Sequence, residues 1–215
     1  MQSAADKAVT AQADNWKALL AAIHIGVGEA FVKATANDLA DEAKALRIPQ
    51  RSYKALDTVA LVDDWQERVV EWLLTGGAAK VTAISDTTRA RIQHELAQGV
   101  ANEETIDQLA ARIDKLYLDS IIPNRSETIA RTETISASNQ SSLFAARETG
   151  LSLDKEWIAT RDGRTREDHA DADGQTVGID DNFVVGGVEM DAPGDSGDPG
   201  QDINCRCTIG YHVKE

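Results

Sequence analysis

The chain is poor in most of the residues that announce a fold class. Its 215 residues include two cysteines, four prolines and ten aromatic side chains. Two thiols cannot build the disulfide framework of a small secreted domain, so one large or two small domains must bury a core of their own. No apolar run approaches the roughly 20 residues of a membrane span, and with 42% apolar residues the chain reads as a soluble globular protein. The opening "MQSAADKAVTAQADNW" lacks a basic segment followed by a hydrophobic block, so no export signal is expected. Cations are scarce as well: 22 Lys and Arg face 36 Asp and Glu, a net charge of -14. Nonspecific duplex binding depends on Lys and Arg neutralising phosphates, so this charge argues against direct nucleic-acid contact and for protein partners or cations. No Gly-rich phosphate loop, Ser/His/Asp order or carboxylate pair in an apolar run is visible.

The charge that is present is uneven. Residues 151–215 hold 15 acidic against 6 basic residues, and residues 1–150 hold 21 against 16. A change in texture accompanies that shift and marks a boundary near Gly150. Before it, the pattern is helical. Trp16, Leu19, Leu20, Ile23, Val27 and Phe31 recur at three- and four-residue steps until Pro49 stops the run. Val62, Trp65, Val69, Trp72 and Leu73 repeat the spacing before Gly76 and Gly77, which suit a C-cap. Ser85 and Asp86 cap a third segment carrying Ile92 and Leu96, closed by Gly99. Thr105 and Gln108 form a capping-box pattern ahead of Ile106, Leu109, Ile113 and Leu116. A last helix is expected from Asn124 or Ser126 to Gly150. Its middle, "TETISASNQSS", consists of residues that compete for backbone hydrogen bonds, so packing rather than propensity must hold it, with Arg131 and Glu133 as a local polar pair.

After Gly150 the chain turns β-like. "KEWIAT" (155–160) alternates around Trp157, with Asp162 and Gly163 as its turn, and "RTREDHA" suits a helical turn presenting His169. "NFVVGGVEMD" sets two apolar runs around Gly186 and Gly187, a two-residue hairpin signal. "APGDSGDPGQD" reads as an exposed loop and "CRCTIGYHV" as a closing strand. So small a core would gain most from a cross-link or a metal.

Cys205 and Cys207 are the only thiols. On an extended strand, residues i and i+2 share a face about 6.6 Å apart, a poor geometry for a disulfide, whose Cβ atoms face each other at about 3.8 Å. Two thiolates converging on one ion is easier, because Zn–S bonds of about 2.3 Å close the gap. Arg206 would favour the thiolate form. His169 is the third candidate ligand; Asp173, Asp171, Asp168 or a water could be the fourth, while His212 has the wrong strand parity. Two small buried residues and a hydrogen-bonded histidine are the competing reading, and both stay open. An EF-hand does not fit: His169, Asp171, Asp173 and Gly174 sit at loop positions one, three, five and six, but Thr176 and Asp180 occupy positions eight and twelve. The run Asp191, Asp195, Asp198 and Asp202 reads as solvated turns.

In order, the Ala-Arg-Thr-Glu of 130–133, Trp157, the Arg161-Asp162 and Arg164-Thr165-Arg166 cluster, His169, Gly174, Phe183, Pro193 and Asn204-Cys205-Arg206-Cys207 are quotable elements. Together they resemble the C-terminal head-morphogenesis domain of phage minor head proteins, the group named after the F protein of phage Mu and the SPP1 minor head protein. The resemblance covers roughly 83–210 and leaves 1–80 unmatched. With the helical periodicity before Gly150 and the β-like texture after it, the expected fold is α+β: a helical N-terminal region (1–82), a helical segment leading into the domain (83–150) and a β-rich C-terminal module (151–215). The resemblance implies a virion component of the capsid interior, present in the host cytoplasm during assembly, that contacts the portal protein and the major capsid or scaffold protein in head morphogenesis and DNA packaging or delivery. By length the chain is a compact member or lacks an N-terminal part.

Carried onto this chain, the resemblance puts His169, Cys205 and Cys207 in a shared structural cluster over Trp157; the donor set itself suggests zinc, with Asp173 as the candidate fourth ligand. Arg131 and Glu133 would dock the Ser/Thr-rich helix onto the module, and Arg161, Arg164 and Arg166 would bridge its aspartates, Asp162 among them. Gly174 and Asn204 complete the motif set. No catalytic residue is expected. The alternative is a metal-dependent nuclease of the His-Asn-His type, which needs a second histidine that His212 alone could supply. A toxin carrier would need an effector segment beyond these residues.

Overall fold

The computed structural model describes residues 4–54, 57–72 and 123–214, with single positions between 94 and 115. Its elements are α1 (Ala4–Ala45), a 3-10 turn (Gln50–Ser52), α2 (Thr58–Trp72), α3 (Pro123–Glu148), β1 (Leu153–Ile158), α4 (Glu167–Asp171), β2 (Thr176–Gly178), β3 (Phe183–Val185), β4 (Val188–Met190), α5 (Pro199–Asp202) and β5 (Thr208–Val213). The fold is α+β, with long helices first and small antiparallel sheets last. No described helix is long and apolar enough to cross a membrane. The expected stripes of the third and fourth segments, with Leu73, Gly76 and Gly77, lie outside the described residues.

Two compact units divide the chain: Met1–Ala21 with Val70–Ala130, and Ala22–Val69 with Arg131–Glu215. The described part of the first consists of the opening turns of α1, the end of α2, the start of α3 and single helical positions such as His94 and Gln98. The second contains every element discussed below.

In the second unit, α1 buries His24, Gly28, Val32, Ala36, Leu39 and Ala43, leaving Ile23 and Val27 half-buried and Phe31 exposed. Leu20 is buried as expected and the side chains of Trp16 and Leu19 lie outside the described residues, but from Ile23 onward the stripe is off by one residue, and the reason is local. A Cβ at Gly28 would lie 1.8 Å from Trp65 Nε1, so the glycine face is where α2 can approach, and the Trp65 indole donates to His24 O at 2.9 Å. Leu61, Val62, Trp65 and Val69 form the buried face of α2. A cluster of Leu39, Ala43, Ala146, Leu151 and Leu153 packs α1 against the end of α3 and the start of β1.

Helix α3 carries the hydroxyl-rich run, and Ser136, Ser138, Asn139, Ser141 and Ser142 are all buried. Ser138 and Ser141 donate back to the carbonyls three residues earlier, and Ser142 joins Thr35 Oγ1 at 2.9 Å and Tyr211 OH at 3.0 Å. Residues two apart on a helix point apart, so Arg131 and Glu133 reach different neighbours. Glu133 Oε2 lies 3.1 Å from His24 Nε2 in the interior. Arg131 Nη1 donates to Asn204 Oδ1 at 3.4 Å instead.

The three-stranded sheet has the order β2-β1-β5, all antiparallel, with Trp157 opposite Ile209, and β3 and β4 form a separate hairpin. Gly186 (φ 57) and Gly187 (φ 80) make the expected tight turn. Boundaries differ from expectation: β1 runs 153–158, not 155–160, and β5 starts at Thr208, so both cysteines precede the closing strand. The "APGDSGDPGQD" loop is not simply exposed either. Ala192, Pro193, Gly194 and Asp202 are buried, since Asp202 accepts from Ser196 N, Ser196 Oγ and Gly197 N and so satisfies the loop internally.

Candidate metal centre

His169 reaches the interior because α4 is one short helix whose C-cap, Ala172, is buried, and because Gly174 (φ 83) turns the chain back. The Gly174 amide donates to Trp157 O at 2.8 Å, which ties the end of α4 to β1. On the other side, Asn204 in the left-handed region (φ 57) redirects the chain, its N–H donating to Thr132 Oγ1 at 3.0 Å. The main chain that follows is held at three successive points. Cys205 N donates to Asp202 O, Thr160 Oγ1 donates to Arg206 O at 2.7 Å, and Asn139 Nδ2 donates to Cys207 O at 3.0 Å.

The outcome is that Cys205 and Cys207, each 2% exposed and unbridged, both face the 2% exposed His169. His169 Nδ1 lies 3.4 Å from Cys207 Sγ and 3.7 Å from Cys205 Sγ, and the three atoms lie within 4.8 Å of one another. A tetrahedral ion with Zn–S of ~2.3 Å and Zn–N of ~2.05 Å sets nitrogen and sulfur ~3.6 Å apart, so the trio is within metal-binding distance.

The protonation pattern follows from the neighbours. Asp168 Oδ2 accepts from Gln201 Nε2 at 2.6 Å, which orients the amide so that Gln201 Oε1 faces His169 Nε2 at 2.8 Å. This shorter contact favours the proton on Nε2 over acceptance from Arg166 Nη1 at 3.4 Å, and the Nδ1 lone pair is then aimed at the sulfurs. The Cys205 thiol donates toward Cys207, which raises the Cys205 pKa and holds Cys207 below an ordinary thiol. Burial works against an imidazolium at His169, but the Cys205 sulfur and Gln201 outweigh it and the pKa stands raised. Trp157 sits edge-on to His169, ring centroids 5.6 Å apart, and its buried indole N–H has no nitrogen or oxygen partner. That N–H bears on the Cys207 sulfur and favours its charged form. An electron-rich thiolate suits this orphan donor.

Asp173 does not join the trio: its carboxylate accepts from Ala159 N at 2.9 Å and from Arg161 at 2.6 Å. Arg206 is held chiefly by Asp162, 2.6 Å from both its terminal nitrogens, and the two cysteine sulfurs add a weaker favourable interaction with its charge. Arg164 is 3.4 Å from the same carboxylate. Among the described residues Arg166 bridges no aspartate; it lies 3.4 Å from His169 Nε2 and donates to the carbonyls of Gln201 and Ile203. His212 is exposed, 2.6 Å from Glu156, outside the cluster. Sequence reasoning missed Gln201, the link through Asp168, and Asn139. Gln201 in its loop and Asn139 in α3 are neutral amides with no spacing signal, and the role of Asp168 depends on Gln201, so none of these could be found that way.

The family described as phage Mu protein F like protein matches residues 90–210. The chain is 33% identical over 122 residues to minor head protein GP7 of Bacillus phage SPP1, covering 55% of this chain and 39% of that one. It is 40% identical over 83 residues to the NAD(+)–arginine ADP-ribosyltransferase EFV of Enterococcus faecalis, covering 37% of this chain and 17% of that protein. An uncharacterized protein of Haemophilus influenzae is 29% identical over 139 residues, covering 64% and 28%. The chain thus spans well under half the length of these curated relatives. No solved structure matches it significantly.

Proposed function

The chain belongs to the phage Mu protein F-like family, and from that premise we propose that it is a minor head protein of a tailed phage or prophage. In this reading it binds the portal protein and the capsid interior, with the major capsid or scaffold protein as a further contact. It acts in head morphogenesis and in DNA packaging or delivery, entering the virion from the host cytoplasm. The family match over more than half of the chain carries the proposal, and the similarity to the SPP1 minor head protein supplies the role. A net charge of -14 supports it, since such a protein would not adhere to packaged DNA. Mass spectrometry of purified heads from the phage or prophage encoding the chain should find it at low copy number, and it should co-purify with the co-expressed portal protein. Its presence in the lysate but absence from purified heads would overturn the reading.

The role is non-enzymatic. A nuclease needs an accessible histidine to activate water, whereas His169 is buried with Nε2 bonded to Gln201 and Nδ1 turned to sulfur. Plasmid incubated with the protein and Mg²⁺, Mn²⁺ or Zn²⁺ should stay supercoiled; nicking that disappears in His169→Ala would sink this part.

His169 Nδ1, Cys205 Sγ and Cys207 Sγ hold a structural zinc ion that cross-links α4 to the segment before β5. The nitrogen–sulfur distances and the tautomer fixed by Gln201 support this. Elemental analysis should give about one zinc per chain, lost in Cys205→Ser with Cys207→Ser. Metal-free native protein with both thiols freely titratable would refute it.

A further inference from the structure

A tetrahedral zinc takes four ligands and the trio supplies three. Prior commitments of the neighbouring side chains decide what the fourth can be. Asp168 accepts from Gln201 at 2.6 Å and from the His169 amide at 3.0 Å. Asp173 is held by the Ala159 amide and Arg161, Asp162 by Arg206, and His212 lies against Glu156. Asp171 is exposed on α4. Among the described residues the metal-ligand cluster stops at His169, Cys205 and Cys207.

What adjoins the trio is space. A cavity of about 10 Å³ is lined by the three donors with Thr160, Arg164, Thr165, Arg166, Asn204 and Arg206. That volume is about the minimum that holds one water molecule. Its walls are more polar than apolar, with hydroxyl, amide and guanidinium groups among them, so a water there has partners. The charge around it is positive. Asp162 offsets Arg206 and part of Arg164, while Arg166 is bonded to main-chain carbonyls that do not neutralise it.

We propose that the centre keeps its fourth coordination position for an exchangeable water in this arginine-lined cavity, and that small monodentate anions replace that water. The proposal rests on the zinc reading of the trio. It separates this centre from closed structural sites, in which four protein ligands leave no place for a solvent molecule.

The test uses the full chain with zinc exchanged for Co²⁺, whose visible bands report the coordination shell. Titration with thiocyanate, which binds through one terminal atom and extends out through the open mouth of the cavity, should change those bands saturably. Arg164→Ala is a mild companion variant because that side chain is 80% exposed. It should take up the same amount of Co²⁺ and bind thiocyanate about two- to fivefold more weakly, the effect of one exposed charge. Bands of stoichiometrically bound Co²⁺ that ignore thiocyanate would mean a shell closed by a fourth protein ligand; the open position falls and the zinc reading stands. Unchanged thiocyanate affinity in Arg164→Ala would put the anion outside this cavity and overturn the assignment. A native chain that takes up no Co²⁺ would overturn both readings.

Discussion

Replacing Asn139 with alanine should be among the most damaging single changes in the second unit. The residue is 1% exposed at the centre of the hydroxyl-rich helix. Its Nδ2 donates to Pro193 O at 3.1 Å and to Cys207 O at 3.0 Å, and its Oδ1 accepts from Thr208 Oγ1 at 3.1 Å. Thr208 is exposed and can turn its hydroxyl to water, so that bond costs little. The carbonyls of the buried residues Pro193 and Cys207 lose the donor that Asn139 supplies. Each orphaned acceptor costs about 1–3 kcal/mol, which with a small cavity gives about 3–5 kcal/mol, a large part of the ~5–15 kcal/mol that keeps a domain folded. At an m-value of about 2 kcal/mol/M the urea midpoint should fall by about 2 M. Ser138→Ala is the control: its hydroxyl only returns to Ile135 O in its own helix, and alanine is the better helix former, so the midpoint should hold or rise. Asn139→Ala within about 1 kcal/mol of wild type would refute the claim that this amide joins α3 to the cysteine segment.

Gln201→Ala should weaken zinc binding about 10–100-fold in a chelator competition while circular dichroism stays unchanged, because the imidazole loses the group that fixes its tautomer; equal affinity would show that Gln201 does not position the ring. Gly28→Ala should lower stability by about 1–3 kcal/mol by forcing Trp65 away, where helix propensity alone predicts a gain of about 1 kcal/mol, and the sign of the change in thermal unfolding decides. Half-burial raises the Asp191 pKa, but hydrogen bonds and charges from Arg147 and Lys155 overcome this and leave it below the ordinary aspartate value. Its contribution is therefore complete above the unfolded pKa of about 3.9 and lost as pH falls through the lower folded value. Asp191→Asn should cost about 2–4 kcal/mol at pH 7, since Lys155 Nζ loses a 2.6 Å partner, and the loss should shrink below about pH 4; a pH-independent difference would contradict the linkage.

Residues with one dominant use were legible in the sequence. Gly186 and Gly187 sit at the positive φ values a two-residue turn demands, and Trp65 and Val69 fall on a buried face because the 3.6-residue period leaves them nowhere else. His169, Cys205 and Cys207 stood out by chemistry, although the strand geometry used to weigh them does not apply: they lie ahead of β5 and converge through a left-handed turn at Asn204. Residues whose use is fixed by a distant partner were not legible. Glu133 meets His24 across 109 residues and Gln201 meets His169 across 32, and no local pattern encodes either. The acidic Gly/Pro loop misled for a related reason. Composition marks it for solvent, but Asp202 supplies the acceptors its own turn needs, so part of it can be buried.

The main-chain anchors around the cysteines bear on what the metal does. In a domain folded by zinc alone the ligand segments have no other reason to meet, and loss of the ion unfolds the chain. Here Cys205 N, Arg206 O and Cys207 O are each bonded to a different part of the second unit. Both sulfurs also belong to a hydrophobic cluster with Leu143, Trp157, Phe183, Val185 and Met190. The ligand geometry therefore comes mostly from α3, β1 and the hairpin, and ion binding spends little on ordering the chain. A zinc ion bound as proposed would lock side chains that the fold already positions, and its removal should leave the second unit folded.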